Sequence, residues 1–270
     1  MIPMRVRKFF SYKDLLYNLV ARDLKVRYKH SFLGFFWSLL NPLLLTAVFT
    51  FVFSQILPDQ ARPMFNVYFL CALLPWTWCA TAVTGSLASI VGNGHLIKKV
   101  YFPREMLPVS VVISTMINCV LSIPALLFFM IFFRPEELAG PFSAACTTAC
   151  INAHLLFLPV LLVSEMFFLL GLGMIVASLN VFFRDTSILV EVGLQAWFFL
   201  TPIIYDAKLI AKQYTTLLYY VNPMASIIAN FRDIFYYNEA SSPDPLFMLR
   251  TFITSLILFA GGYMLFTHTK

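Results

Sequence analysis

Three stretches without a single Asp, Glu, Lys or Arg constrain this chain more than any other feature: Phe32 to Leu57, Met64 to Gly94 and Met106 to Phe133. Each exceeds the ~20 residues that a helix needs to cross about 30 Å of hydrocarbon. Leu155 to Leu179 is a fourth candidate, interrupted only by Glu165, a fifth runs from Thr186 to about Tyr205 through Glu191, and a last one from Leu246 to Phe266. The runs are continuous rather than alternating with period two, which favours helices over barrel strands. Only 12% of the residues are charged, half the usual soluble share of about 25%. The expected fold is therefore an all-α membrane protein with six transmembrane helices, near 32–57, 66–91, 106–133, 155–179, 186–205 and 246–266, the fifth the least regular. Residues 1–31 form an N-terminal segment outside the bilayer and 32–270 the transmembrane domain.

Lys and Arg counts assign the sides. With the N-terminus in the cytoplasm, 13 of the 19 basic residues fall on the cytoplasmic side of a six-span chain, as the positive-inside bias requires. Both termini are then cytoplasmic. The same bias accounts for the net charge of +6 without a nucleic-acid partner. The first apolar run begins too late and runs too long for a cleaved signal core, so it reads as a retained helix.

The segment "ARDLKVRYKHSFLGFFWSLLNPLL", Ala21 to Leu44, concentrates positive charge directly before the first span. On a helix, Tyr12, Leu15, Leu16 and Leu19 share one face while Asp14, Arg22, Lys25 and Lys29 share another, and Asp23 pairs with Arg27 at i, i+4. An amphipathic helix along the inner interface is expected, in reach of anionic headgroups. Asn41 and Pro42 lie inside the first span, where proline removes a helix hydrogen bond and is expected to bend or loosen it.

Chemistry-bearing motifs are missing. There is no GxxxxGK[ST] nucleotide loop, no HExxH and no clustering of His30, His95, His154 and His268. Gly92 and Gly94 form a loop rather than a dinucleotide site. Cys71, Cys79, Cys119, Cys146 and Cys150 make no CxxC pair and read as reduced packing residues. Neither a metal site nor a catalytic group is expected. Glu165 and Glu191 are the carboxylates within spans; intramembrane charge marks function by default, and structural or pathway-lining roles are favoured over a proton relay.

Two connecting regions are richer than plain loops. In "GNGHLIKKVYFPREMLP", Gly92 to Pro108, turn residues end one span, an amphipathic piece follows from His95 to Phe102, and Pro103 and Pro108 punctuate the next entry. His95, Lys98 and Lys99 beside Leu96, Ile97, Val100 and Tyr101 suggest a docking knob. On the other side, Pro202 breaks the fifth span and Asn222 with Pro223 makes a turn. The region Thr201 to Tyr237 is too apolar for a free loop and is expected to form a re-entrant helical hairpin before the last span. Trp76, Trp78, Trp197, Phe198, Phe199, Tyr205, Tyr219 and Tyr220 gather at span ends and breaks, either as an interfacial aromatic belt or as rings on which sugar faces would slide.

"RDLKVRYKHSFLGFFWSLLNPLL", "LIKKVYFPREMLP", "VFFRDTSILVE", "TPIIYD" and "YYVNP", in this order along nearly the whole chain, resemble the polysaccharide-export permeases of the ABC-2 transporter class. That resemblance implies a half-transporter. Two copies of the chain would form one channel, and two copies of a separate cytoplasmic ABC ATPase would drive it. ATP and Mg would bind that partner, this chain binding no cofactor and catalysing no reaction. The cargo would be a lipid-linked polysaccharide, O-antigen first, capsule or teichoic acid next, moved across a bacterial inner membrane. An ABC-2 exporter of a small molecule or drug is the alternative.

The resemblance also assigns roles. His95, Leu96, Ile97, Lys98, Lys99, Val100 and Tyr101, with Arg184 and Asp185, would meet the ATPase. Arg22, Lys25, Arg27 and Lys29 would attract the lipid pyrophosphate at the cytoplasmic entrance. Trp76, Trp78, Trp197, Phe198, Phe199 and Tyr205 would line the channel.

Overall fold

The computed structural model describes residues 12–29, 36–56, 64–99, 101–132, 154–207, 212–236 and 244–268. Among the described residues ten α-helices follow in order: α1 (Lys13–Tyr28), α2 (Phe36–Phe51), α3 (Phe65–Gly92), α4 (Gly94–Lys99), α5 (Met106–Phe132), α6 (Leu158–Phe182), α7 (Thr186–Leu200), α8 (Lys212–Val221), α9 (Pro223–Phe235) and α10 (Pro245–His268). A π-helical turn, Val52–Ile56, extends α2, and a 3-10 turn, His154–Phe157, leads into α6. Among the described residues no strand occurs.

Among the described residues five helices are long and apolar enough to cross a membrane: Leu39–Ile56, Phe65–Gly92, Met106–Phe128, Leu155–Phe182 and Pro245–His268. The chain is thus a multi-pass membrane protein. The fifth expected span is realised only as α7, whose 15 residues reach about 22 Å at 1.5 Å per residue. It stops where Thr201 leaves helical geometry, with Pro202 next. Pro42 does not break α2, which runs unbroken from Phe36 to Phe51, and Thr46 Oγ1 donates to the Pro42 carbonyl at 2.7 Å. A back-bond of this kind to the i−4 carbonyl often accompanies a bend in a continuous helix.

Helix α3 forms the centre, buried along most of its length against α2, α5, α6 and α9. Antiparallel passage of α2 and α3 follows from their rings: Phe53, in the π-helical turn that extends α2, stacks on Phe65 at the start of α3 with centroids 4.7 Å apart. The largest helix pair is α6 with α10. In a bilayer, lipid tails are as apolar as leucine, so helices associate through close packing rather than through the hydrophobic effect. Glycine supplies that closeness here. A Cβ on Gly171 would lie 2.6 Å from the Leu258 carbonyl oxygen, and one on Gly262 would collide with the Gly171 backbone.

Outside this bundle a second cluster forms. Leu19 packs with Phe102, Met106 and Leu107, flanked by Tyr12, Leu15, Leu16, Leu96 and Ile97. The leucine face of α1 is therefore covered by protein, namely α4 and the start of α5. Burying a leucine such as Leu19 is worth about 2 kcal/mol.

Candidate coupling face and transport path

One end of the bundle carries three elements that the sequence separates by more than 150 residues. Arg22 of α1 donates from Nη1 to Asn93 Oδ1 at 2.8 Å, and Asn93 Nδ2 donates to the Ser89 carbonyl at 2.7 Å. Helix α1 is thereby tied to the elbow between α3 and α4. At the same end, Asn180 Nδ2 donates to the Leu87 carbonyl at 2.8 Å. Five residues beyond Leu87 lies Gly92, and four beyond Asn180 lies Arg184, so the α6–α7 turn and α4 sit at comparable height.

Helix α4 divides its residues cleanly. Leu96 and Ile97 are half-buried on the α1–α5 cluster, whereas His95, Lys98 and Lys99 are exposed. Tyr101, just past the helix, is 96% exposed. Val100 lies outside the described residues. Arg184 and Asp185 are both exposed in their turn. All the described polar members of the expected docking set therefore project from one end of the molecule.

The expected Asp23–Arg27 pair is not formed. Asp23 instead receives Arg22, with Nη2 at 2.9 Å and Nε at 3.1 Å from Oδ1, and lies 3.5 Å from Ser110 Oγ. The reason is packing: docking α1 on α5 turns Asp23 toward Ser110, and Arg22 follows to bridge Asp23 and Asn93. Of the four cations expected at the entrance, Arg22 is thus already engaged, while Lys25, Arg27 and Lys29 are exposed.

Within the bundle Glu165 is fully buried on α6, and neither carboxylate oxygen has a hydrogen-bond partner among the described residues. Glu191 differs entirely, lying exposed on α7. Cys71, Cys79 and Cys119 are buried free thiols; Cys146 and Cys150 lie outside the described residues. Among the described residues no group of His, Cys, Asp and Glu is arranged to hold a metal.

The rings divide between core and surface. Trp76 and Trp78 are buried on α3, and Trp76 meets Trp197 and Phe198 edge to face at 5.7 and 5.6 Å. Trp197, Phe198 and Tyr205 are half-buried, and Phe199 is exposed. Helix α7 has only Thr186 fully buried; Val190, Leu194, Trp197 and Phe198 are half-buried against the core and its other side is open.

At the opposite end of the bundle from α4, the stretch after α7 is fixed residue by residue. Asn222 Nδ2 donates to Thr201 Oγ1 at 2.9 Å, while Asn222 Oδ1 accepts from the Trp197 indole at 3.0 Å and from the amides of Met224 and Ala225. Asn222 is thus the N-cap of α9 and its link to α7. Arg232, 4% exposed, donates to the Ile203 carbonyl at 2.7 Å and lies 3.7 Å over the Tyr68 ring. Tyr68 in turn donates to the Tyr205 carbonyl at 3.0 Å. A sequence reading that treats Arg232 as a loop charge misses this. The signal was a charged pair, Arg232 and Asp233, inside the mostly apolar run of α9.

The family model for ABC-2 type transporters matches residues 14–236. This chain belongs to the ABC-2 type transporter family. An O-antigen export system permease protein RfbA of Myxococcus xanthus is 34% identical over 258 residues, covering 95% of this chain and 93% of that relative. Two Klebsiella pneumoniae proteins of the same description are each 32% identical, covering 95% of this chain and 92% of the relatives. The ABC-2 match takes in α1, the α4 elbow, the α6–α7 turn and the Asn222 junction. Helix α10 lies beyond it, yet packs on α6 as part of the same bundle.

Proposed function

We propose that this ABC-2 chain is the membrane permease subunit of an ATP-driven exporter that carries a lipid-linked polysaccharide, O-antigen first among the candidates, from the cytoplasm to the outer face of the inner membrane. Similarity to O-antigen export permeases over 95% of the chain carries this reading. Two copies of the chain would enclose the path, and two copies of a separate ABC ATPase, binding ATP and Mg, would supply the energy.

The end bearing α1, α4 and the α6–α7 turn is the cytoplasmic end. His95, Lys98, Lys99 and Tyr101, with Arg184 and Asp185, form the ATPase contact, and Leu96 and Ile97 seat it on α5. Exposed Lys25, Arg27 and Lys29 are placed for an anionic lipid pyrophosphate, with charge-assisted hydrogen bonds as the attraction. Helix α7, the fifth span in chain order, crosses together with the segment after it and brings the total to six. Helices α8 and α9 are the re-entrant hairpin, a reading supported by Asn222 contacting Trp197 while Tyr236 meets Tyr68, nearer the start of α3. The exposed side of α7, with Phe199 and Glu191, faces the path; Trp76 and Trp78 back it from within the chain.

Purification from native membrane in mild detergent, with mass spectrometry of what accompanies the chain, tests the assembly. A stoichiometric P-loop ATPase is the expected result. Deletion of the gene is expected to abolish surface polysaccharide and leave drug resistance unchanged; the reverse pattern would replace the polymer by a small-molecule cargo.

A further inference from the structure

We infer that α7 is a connecting rod between the two ends of the bundle, and that Asn222, with Trp197 and Thr201, is the joint that passes its displacement to α9. Three observations lead there. First, α7 is packed along one strip only: Val190, Leu194, Trp197 and Phe198 lie half-buried on the core, its other residues after Thr186 are exposed, and an open groove of about 730 Å³, lined by Val83, Leu172, Val176 and Leu194 among others, runs beside it along α3 and α6. Second, both ends are held. The Phe183–Asp185 turn joins it to α6 at one end, with Thr186 N donating to the Phe183 carbonyl at 3.2 Å. At the other end the Trp197 indole and Thr201 hydroxyl meet one carboxamide, and Thr201 Oγ1 also donates to the Trp197 carbonyl at 2.7 Å, closing a ring of hydrogen bonds.

Third, that carboxamide is the N-cap of α9, so α7 cannot shift at Trp197 without either breaking the ring or carrying the start of α9 with it. Helix α9 then reaches the 201–206 stretch a second time, through Arg232 and the Ile203 carbonyl. A helix that is held along a single strip and fixed at both ends can shift along its axis and carry that motion from one end to the other. Energetic coupling between distant sites is carried by rigid elements that have two discrete arrangements, a role that falls here to α7. Trp197 and Thr201 are positioning residues on this reading; they need touch neither ATPase nor cargo.

The inference rests on the proposed export function, and the experiment separates the two. The protein is the complete permease–ATPase complex, with Cys146 and Cys150 replaced by Ser and a reporter cysteine at exposed Tyr214 (Tyr214→Cys) on α8. A membrane-impermeant maleimide is applied from outside with and without ATP turnover, and export and ATP hydrolysis are measured in parallel. In this parent, labelling is expected to change with ATP. The double variant Trp197→Phe, Thr201→Val keeps a ring against Trp76 and Phe168 and leaves the α9 cap intact while removing both links to Asn222. It is expected to assemble with the ATPase, to retain hydrolysis within about twofold, and to lose export and the ATP-dependent labelling change by roughly tenfold, the scale of a typical coupling energy. A parent that hydrolyses ATP and exports without any labelling change overturns the inference, as does a variant that keeps the wild-type labelling change and export. A parent complex with no ATP-dependent export at all overturns the proposed function instead. Should the double variant fail to insert, Trp197→Phe alone carries the same comparison.

Discussion

Arg22 and Asn93, 71 residues apart, are joined by a 2.8 Å hydrogen bond from guanidinium to carboxamide. It is the polar counterpart of the Leu19–Phe102 cluster, and together they make α1 and the α3–α4 elbow one body. Replacing either residue by Ala is expected to cost about 1 kcal/mol, the ordinary range for an exposed charged contact. The double variant should cost clearly less than the sum, because each single change removes the same bond. Thermal unfolding of the four proteins in detergent measures this; strict additivity would show that the two residues do not act together.

Lys98 and Lys99 are exposed, whereas Leu96 and Ile97 are packed. Charge reversal at both lysines is expected to leave insertion and thermal stability unchanged, within the roughly ±0.5 kcal/mol of surface substitutions, and to abolish recovery of the ATPase. Ile97→Ala should do the opposite, costing about 1–2 kcal/mol for a half-buried side chain with a weaker effect on recovery. Equal recovery with the charge-reversed chain would remove α4 from the contact.

Gly262 and its neighbour Gly261 give a matched pair on α10. A methyl at Gly262 meets the backbone of Gly171, which cannot yield as a side chain would, while a methyl at Gly261 meets nothing within 4 Å. Gly262→Ala is expected to destabilise the chain by about 1–3 kcal/mol, the usual cost of overpacking. Gly261→Ala should be neutral or slightly stabilising, since Ala is the better helix former. Monodispersity on heating distinguishes them, and similar behaviour of the two would contradict the close α6–α10 crossing.

Arg232 combines a 2.7 Å bond to the Ile203 carbonyl with a face contact on Tyr68. Arg232→Ala should cost about 2–4 kcal/mol, because a buried carbonyl loses a charged donor and the ring loses its cation. Arg232→Lys is expected to recover less than half of that, an ammonium lacking the planar fork that serves both contacts at once. Thermal stability of the three chains decides it; full rescue by Lys would make the contribution one of charge alone.

Length and apolarity were enough to place α2, α3, α5, α6 and α10 within a few residues, since a run of that kind has few other ways to satisfy its backbone. The same reasoning found the α4 piece and the short helices around Asn222, where Gly92, Gly94, Pro202 and Pro223 punctuate the chain. It could not decide how far α7 extends, because the run through Glu191 remains apolar past the point where Pro202 ends the helix. Nor could periodicity choose which apolar face met protein and which met lipid, as both accept the same side chains. The Asp23–Arg27 pairing failed for a related reason: spacing on one helix says nothing of the second helix that supplies Ser110 and Asn93.

What the sequence by itself determined was the membrane class, the helical runs and their punctuation, all set by local composition and by backbone groups that must be paired in hydrocarbon. What only the tertiary structure decided was which polar side chains find each other. Arg22 with Asn93, Asn180 with Leu87, Asn222 with Trp197 and Thr201, and Arg232 with Tyr68 are each separated by 20 or more positions. A buried hydrogen bond depends on distance and direction within a few tenths of an ångström, and no pattern along a single chain carries that information until the helices have packed.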